Sequence, residues 1–334
     1  MGKLIGFLVV LALLCGGWWA LASAGLQRSI AQWFDARRAE GWQAEMGSIS
    51  KQGFPLRIAA QLRDVAVADP DGGVAVALSQ IDLSAPVYWP GYVTVALPDT
   101  PITVATANLR AQVQANNAVA DLRLRPGTSL PLQSLSLRAG NWTIDTGIGS
   151  ALGADALAVE AVQQKAGEPV YDLALDATAL TPGMAARTGL GLAQDWPAAF
   201  DTVSAAMTVT FDRVWDRRAL NRRRPQPRAI QLSQAQVTWG SVDIRASGDI
   251  TVNEAGLASG SLSVQAENWP VMLDMAQSAG YLRPDFRPQA EQMLTALAQM
   301  SGQATALDLT ITLTDGRMSM GFVPLGRAPK IMIR

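Results

Sequence analysis

The fold class this sequence predicts is mainly β with α additions: elongated antiparallel sheets, curved into a groove or half-barrel, packed by C-terminal helices and preceded by a transmembrane helix. Three observations carry it. Segment after segment alternates apolar and polar residues with period two, glycine- and aspartate-bearing turns separate the segments, and no strand–helix–strand rhythm interrupts them. Such alternation gives each strand one apolar face, and short turns join neighbours antiparallel. The chain has 334 residues, enough for one large or two ordinary domains with a real core.

The chain opens with Leu4–Leu26, LIGFLVVLALLCGGWWALASAGL, which contains no charge and no proline. That is about the length a helix needs to cross a bilayer, where it satisfies its own backbone groups. Residues 1–26 are therefore expected to form a signal anchor, with Leu4, Phe7 and Leu11 among lipid tails and Trp18 and Trp19 at the interface. A cleavable signal peptide stands beside that reading, with Leu4–Leu14 as its apolar region and Ala22-Ser23-Ala24 as its cleavage pattern. A lipoprotein signal at Cys15 does not fit, because Leu14 precedes it where a small residue is required. Residues 27–47 are expected to form an amphipathic stalk helix. Leu26, Ile30, Trp33 and Phe34 recur at helical spacing, with Arg28, Asp35, Arg37, Arg38 and Glu40 elsewhere. That helix lies on the membrane surface or packs on the body.

Residues 48–212 form a first β-rich half. After Gly53-Phe54-Pro55 the period becomes two, beginning with Leu56, Ile58 and Ala60. Asp69-Pro70-Asp71-Gly72-Gly73 reads as a turn, since the closing glutamate and spacing of a calcium loop are missing. Pro86–Tyr92 is an aromatic, proline-broken bend. Leu109, Leu135, Leu173 and Met207 each begin a short alternating run. Residues 213–228 form a basic loop, and 229–334 a second β-rich half with two helices. Val242, Ile244, Ala246, Ile250 and Val252 share one face, and so do Leu307, Leu309, Ile311 and Leu313. Asp315-Gly316 then turns the chain into Met318 and Met320, as in a hairpin. Pro270 opens one helix and Pro288 another. Their Met272, Met275, Met293 and Leu297 are either adaptable core or a hydrophobic ligand surface.

Composition excludes much chemistry. The chain has no histidine and one cysteine, Cys15, inside the apolar leader. Histidine-based triads, thiolate metal sites and disulfides in the body are thereby removed, and no cofactor or metal is expected. Gly-x-Ser-x-Gly and P-loop patterns do not occur, and GIGSALG at 147–153 lacks a parallel strand-to-helix frame. Only an enzyme working with carboxylates alone stays open. A net charge of −1 drives no association with nucleic acid. The basic loop carries Arg213, Arg217, Arg218, Arg222, Arg223, Arg224 and Arg228. Of these, Arg217, Arg218, Arg222, Arg223 and Arg224 are candidates to clamp phosphate headgroups, against the plainer reading of a solvated loop.

The run AQVTWGSVDIRASGDITVNEAGLASGSLSVQAENW ending at Trp269, with Gly53-Phe54-Pro55-Leu56-Arg57 and DGRMSMGFVPLG at 315–326, resembles alphaproteobacterial membrane-anchored envelope proteins of unknown function. More loosely the chain is similar to AsmA-like proteins. That resemblance implies an inner-membrane helix, an elongated periplasmic β structure and a part in outer-membrane assembly or lipid movement. The expectation is a non-enzymatic, single-pass protein of a bacterial inner membrane, its body periplasmic, handling phospholipid or another hydrophobic ligand or aiding envelope assembly. The alternative is a scaffold that binds an envelope protein partner and no ligand.

Overall fold

The computed structural model describes the chain except residues 1, 71, 148, 190–195, 221–223, 279, 301–304, 322 and 334; at 2–15, 185, 189, 220, 297 and 300 it describes the backbone alone. Helix α1 (Gly2–Ala39) leads into strands β1 (Gln43–Gln52), β2 (Arg57–Asp69) and β3 (Val74–Pro86). Eight shorter strands follow: β4 (Tyr92–Ala96), β5 (Ile102–Thr106), β6 (Arg110–Ala115), β7 (Val119–Leu124), β8 (Leu132–Ala139), β9 (Trp142–Thr146), β10 (Gly149–Ala154) and β11 (Ala156–Gln163). Then come β12 (Val170–Pro182), helix α2 (Met184–Gly189), β13 (Phe200–Phe211), β14 (Pro227–Trp239), β15 (Val242–Val252) and β16 (Ala258–Glu267). Helices α3 (Trp269–Ser278) and α4 (Arg287–Met300) precede β17 (Ala306–Thr314), β18 (Arg317–Met320) and β19 (Val323–Arg327).

The described strands form one 19-stranded sheet, and every pairing is antiparallel. Its topology is simpler than the count suggests. The long β3 pairs with β4 at one end and β5 at the other, and the long β12 pairs likewise with β11 and β10. Between them β4/β5, β6/β7, β8/β9 and β10/β11 are each one ribbon broken at its middle, pairing β4–β7–β8–β11 on one side of the break and β5–β6–β9–β10 on the other. The whole chain is thus an up-and-down meander, as short turns between one-faced strands require.

The breaks line up as a seam. Leu97 N–H donates to Ala118 O (2.9 Å), Asn116 N–H to Asn141 O (2.9 Å) and Asp155 N–H to Thr178 O (3.0 Å). Positive φ at Asp64, Asn117 and Ala179 continues the irregularity into β2 and β12. Extra residues of this kind bend a strand and raise its twist, so the seam folds the sheet along a line across its strands. Farther along, Gly248 (φ +152) and Gly260 (φ +146) let β15 and β16 approach closely: a Cβ at either would collide with the facing carbonyl, of Ser261 or Asp249.

The sheet runs on across the basic loop between the two expected β-rich halves. β13 and β14 flank the basic loop and pair along their length. The stalk helix also ends earlier than its apolar spacing suggests: α1 stops at Ala39, and Gln43 onward already pairs with β2. Arg38 Nε donates to Ala44 O (2.7 Å) across that corner. Gly149–Gly153 of GIGSALG lie in β10 and pair antiparallel with β9, and Asp69 closes its turn by accepting from Gly72 N–H (3.0 Å). Thr314 pairs with Arg317 around Asp315-Gly316, both at positive φ, as a two-residue hairpin demands.

Packing occurs in three places. Phe34 of α1, with Leu26 and Ile30, covers Ala60, Leu62 and Val65 of β2. Trp269, Leu273 and Ala298 of α3 and α4 cover Ala266 and Leu307. Tyr171, Val209 and Phe211 are covered by Trp215 and Ile333.

Candidate functional site

Register places the apolar faces of successive strands in common rows. One row runs Ala120–Leu137–Val159–Leu175–Ala205–Ala235–Ala246–Val264–Leu309 from β7 to β17. Beside it runs Leu122–Leu135–Ala161–Leu173–Met207–Leu232. At about 4.8 Å per strand the first row is roughly 38 Å long. Among the described residues no layer of the fold covers its middle. Leu175, in β12 with strands on both sides, is 37% exposed, and of the two rows only Ala161 is buried. A mid-sheet leucine under a second layer would be buried. The 35.4 kDa chain exposes 20027 Å² in total, against about 13,000 Å² for a compact monomer of that mass.

The ends of this trough are closed. α1 roofs β1–β3, and α3 and α4 roof the far ends of β16 and β17. At one rim Trp239 stacks with Phe200 (4.5 Å between centroids) and Trp196 (5.3 Å), and its Nε1 donates to Pro197 O (3.0 Å). At the other, Tyr171 packs on Phe211, and Phe211 on Trp215. The Tyr171 hydroxyl donates to Leu132 O (3.3 Å) and accepts from Trp215 N–H (3.2 Å). Burial pushes the Tyr171 hydroxyl above its usual range despite the lowering effect of the Trp215 amide, so it stays neutral and keeps both bonds.

The opposite face of the sheet is polar. A cleft of about 440 Å³ lies there among Tyr92, Thr94, Asp121, Arg123, Arg138 and Glu160. Its charges answer one another: Arg138 pairs with Glu160 (3.5 Å), Thr94 Oγ1 donates to Asp121 (2.7 Å), and Arg123 lies over Tyr92 (5.3 Å). Among the described residues no group of three acidic, histidine or cysteine side chains could hold a metal ion.

The sequence-predicted residues fall elsewhere. Arg217, Arg218 and Arg224 are exposed on the β13–β14 loop, and Arg222 and Arg223 lie outside the described residues. The loop is fastened at its base. Partial burial pushes the Asp212 carboxyl up, but bonds from Arg213 (3.0 Å) and the Gln226 N–H (2.9 Å), with Arg228 nearby, hold it below the usual range. Met272 packs in the α3–α4 cluster, Met275 is half-buried, and Met293 is 46% exposed. The Leu297 side chain lies outside the description. Met272 thus lies in the roof of the trough, and Met293 is open to solvent on α4. Trp18 Nε1 reaches Val87 O (3.4 Å) and Trp19 Nε1 donates to Arg57 O (2.7 Å), so both tryptophans seat α1 on the body. Among the described residues no helix is long and apolar enough to cross a membrane. The side chains of Leu4, Phe7 and Leu11 lie outside them.

Sheet and site together define a β-meander protein with an unroofed apolar face. Residues 19–329 match the family described as uncharacterized protein conserved in bacteria, DUF2125, and the chain belongs to that family. No curated protein matches it.

Proposed function

We propose that this protein shelters lipid or another hydrophobic ligand on the apolar rows of β7–β17, without catalysing a reaction, while α1 anchors it in a bacterial inner membrane with the body in the periplasm. The carrying observation is Leu175, 37% exposed at the centre of a sheet. Each methylene withdrawn from water onto such a surface contributes about 0.8 kcal/mol, so an acyl chain is the cargo whose chemistry matches the site. The uncharged run Leu4–Leu14 ahead of the described side chains supports the anchor, and the resemblance to AsmA-like envelope proteins supports the setting. Native mass spectrometry of protein released from membranes in mild detergent tests the reading. Lipid-sized adducts that disappear on delipidation are expected; a body that neither carries nor takes up lipid removes it.

A second reading has its own observation. β19 pairs only with β18 among the described residues, and its Val323 and Leu325 are 43% and 45% exposed. An open edge of that kind accepts a partner's strand. An envelope protein crosslinked at Leu325 in membranes, and lost in Val323→Lys/Leu325→Lys, would favour a scaffold.

A further inference from the structure

The two rims of the sheet differ. We infer that the rim formed by the β2 start, the β3–β4 turn and the β7–β8 and β13–β14 loops is a docking edge for an anionic lipid surface, which lays the trough beside the bilayer. The inference rests on the reading of α1 as the anchor.

Continuity of the chain comes first. Trp19 of α1 stacks edge-on against Phe54 (5.2 Å), and the helix runs from there toward the opposite rim, where Arg38 meets Ala44. Gly2–Cys15 therefore continues the same helix on the N-terminal side of this rim, roughly 21 Å of it at 1.5 Å per residue. If that segment is embedded, this rim is the part of the body closest to the headgroups.

The rim is built for that place. Phe54, Leu56 and Tyr88 are 63%, 71% and 78% exposed around the exit of α1. Aromatic side chains with one wet end settle at membrane interfaces. Backbone bonds knit this patch to the arginines: Val87 N–H to Leu56 O (3.0 Å), Leu124 N–H to Gly91 O (2.8 Å), Leu132 N–H to Trp215 O (2.7 Å) and Arg217 N–H to Ser129 O (3.1 Å). Exposed Arg217, Arg218 and Arg224 stand on that edge with no ion-pair partner among the described residues. Their planar forks suit phosphate. The opposite rim mixes Asp69, Asp201, Glu267 and Asp285 with Arg110, Arg187 and Arg283, and there Arg283 pairs with Asp285 (3.4 Å) while Arg187 donates to the carbonyls of Trp196 (3.2 Å) and Pro197 (3.0 Å).

The test uses the full chain in lipid nanodiscs with a photoreactive benzoylphenylalanine at Tyr88, or at Tyr281, which is equally exposed on the opposite rim. Discs of phosphatidylcholine alone are compared with discs containing phosphatidylglycerol. Lipid adducts are expected from Tyr88 and not from Tyr281, with about tenfold more on anionic discs. Arg217→Glu/Arg218→Glu/Arg224→Glu should abolish that preference. Because the variant can misfold, raising salt on the unaltered protein gives an independent arm and should suppress the same adducts. Equal labelling from both rims, no labelling from Tyr88, or indifference to headgroup charge and salt each overturns the inference. A photoreactive group at Leu175 separates the two readings: adducts there without adducts at Tyr88 retire the docking edge and leave the trough standing.

Discussion

Leu175 combines two properties that rarely meet in one residue: a mid-sheet position and 37% exposure. Truncating a buried leucine to alanine costs about 2–5 kcal/mol, because transfer and cavity terms add. Leu175 has no covering layer among the described residues, so Leu175→Ala should cost about 1 kcal/mol or less in urea unfolding while lowering the lipid retained on purification. A loss of several kcal/mol would mean that a layer covers it after all. Asp212 makes a different prediction. Its folded carboxyl titrates below the ordinary range, so the stability it contributes is present above the unfolded value near 3.9 and is lost as pH falls below it. Thermal midpoints followed from pH 6 to pH 3 should drop less steeply in Asp212→Asn than in the unaltered protein.

Among the elements, the tail after β19 acts as a strap. Ala328 N–H donates to Gly316 O (2.8 Å), Ile331 N–H to Gly256 O (2.9 Å), and Ile333 N–H to Gln226 Oε1 (3.0 Å), while Gln226 Nε2 returns a bond to Ile333 O (2.8 Å). Three successive hairpin ends are thus laced along one rim, and Ile333 plugs the cluster under Trp215. Each bond contributes about 1 kcal/mol net, so removing residues 331–334 should cost about 2–4 kcal/mol. Hydrogen exchange should rise first at Gly256, Leu257 and Trp215; unchanged protection there would show the tail to be passive. The strap was not readable in the sequence, since an irregular segment has no period. Strands with a steady alternation were readable: Leu307 to Leu313, with the Asp315-Gly316 turn, is visible in the residue order. β1 was not, because Gly47 and the irregularity at Asp64 shift its parity between Met46 and Ile49. The site was half readable. Alternation marks Leu173, Leu175 and Met207 as one apolar face, but it carries no information on whether a second layer lies over that face. The arginines and methionines stand out in composition, and the structure puts Arg217, Arg218 and Arg224 on an exposed rim loop and Met272 in the α3–α4 roof.

For the whole molecule, the question is whether about 20,000 Å² of exposed surface belongs to a body awaiting cargo or to a sheet that tolerates water on both faces. Ligand linkage decides between them. A ligand that binds only the folded state stabilises it by RT ln(1 + [L]/Kd), about 2.7 kcal/mol at a hundredfold excess over Kd. Delipidated full-length protein in detergent should therefore unfold several degrees higher when a single-chain lysophospholipid is added, and Leu175→Asp, which places a carboxylate in the trough, should remove most of that shift. The same substitution barely alters the lipid-free midpoint, because the site is open to solvent. A rise of equal size in Leu175→Asp would assign the effect to the detergent-embedded helix. No rise in either would mean that the apolar rows close on a partner chain, and the open edge of β19 would become the place to look for it.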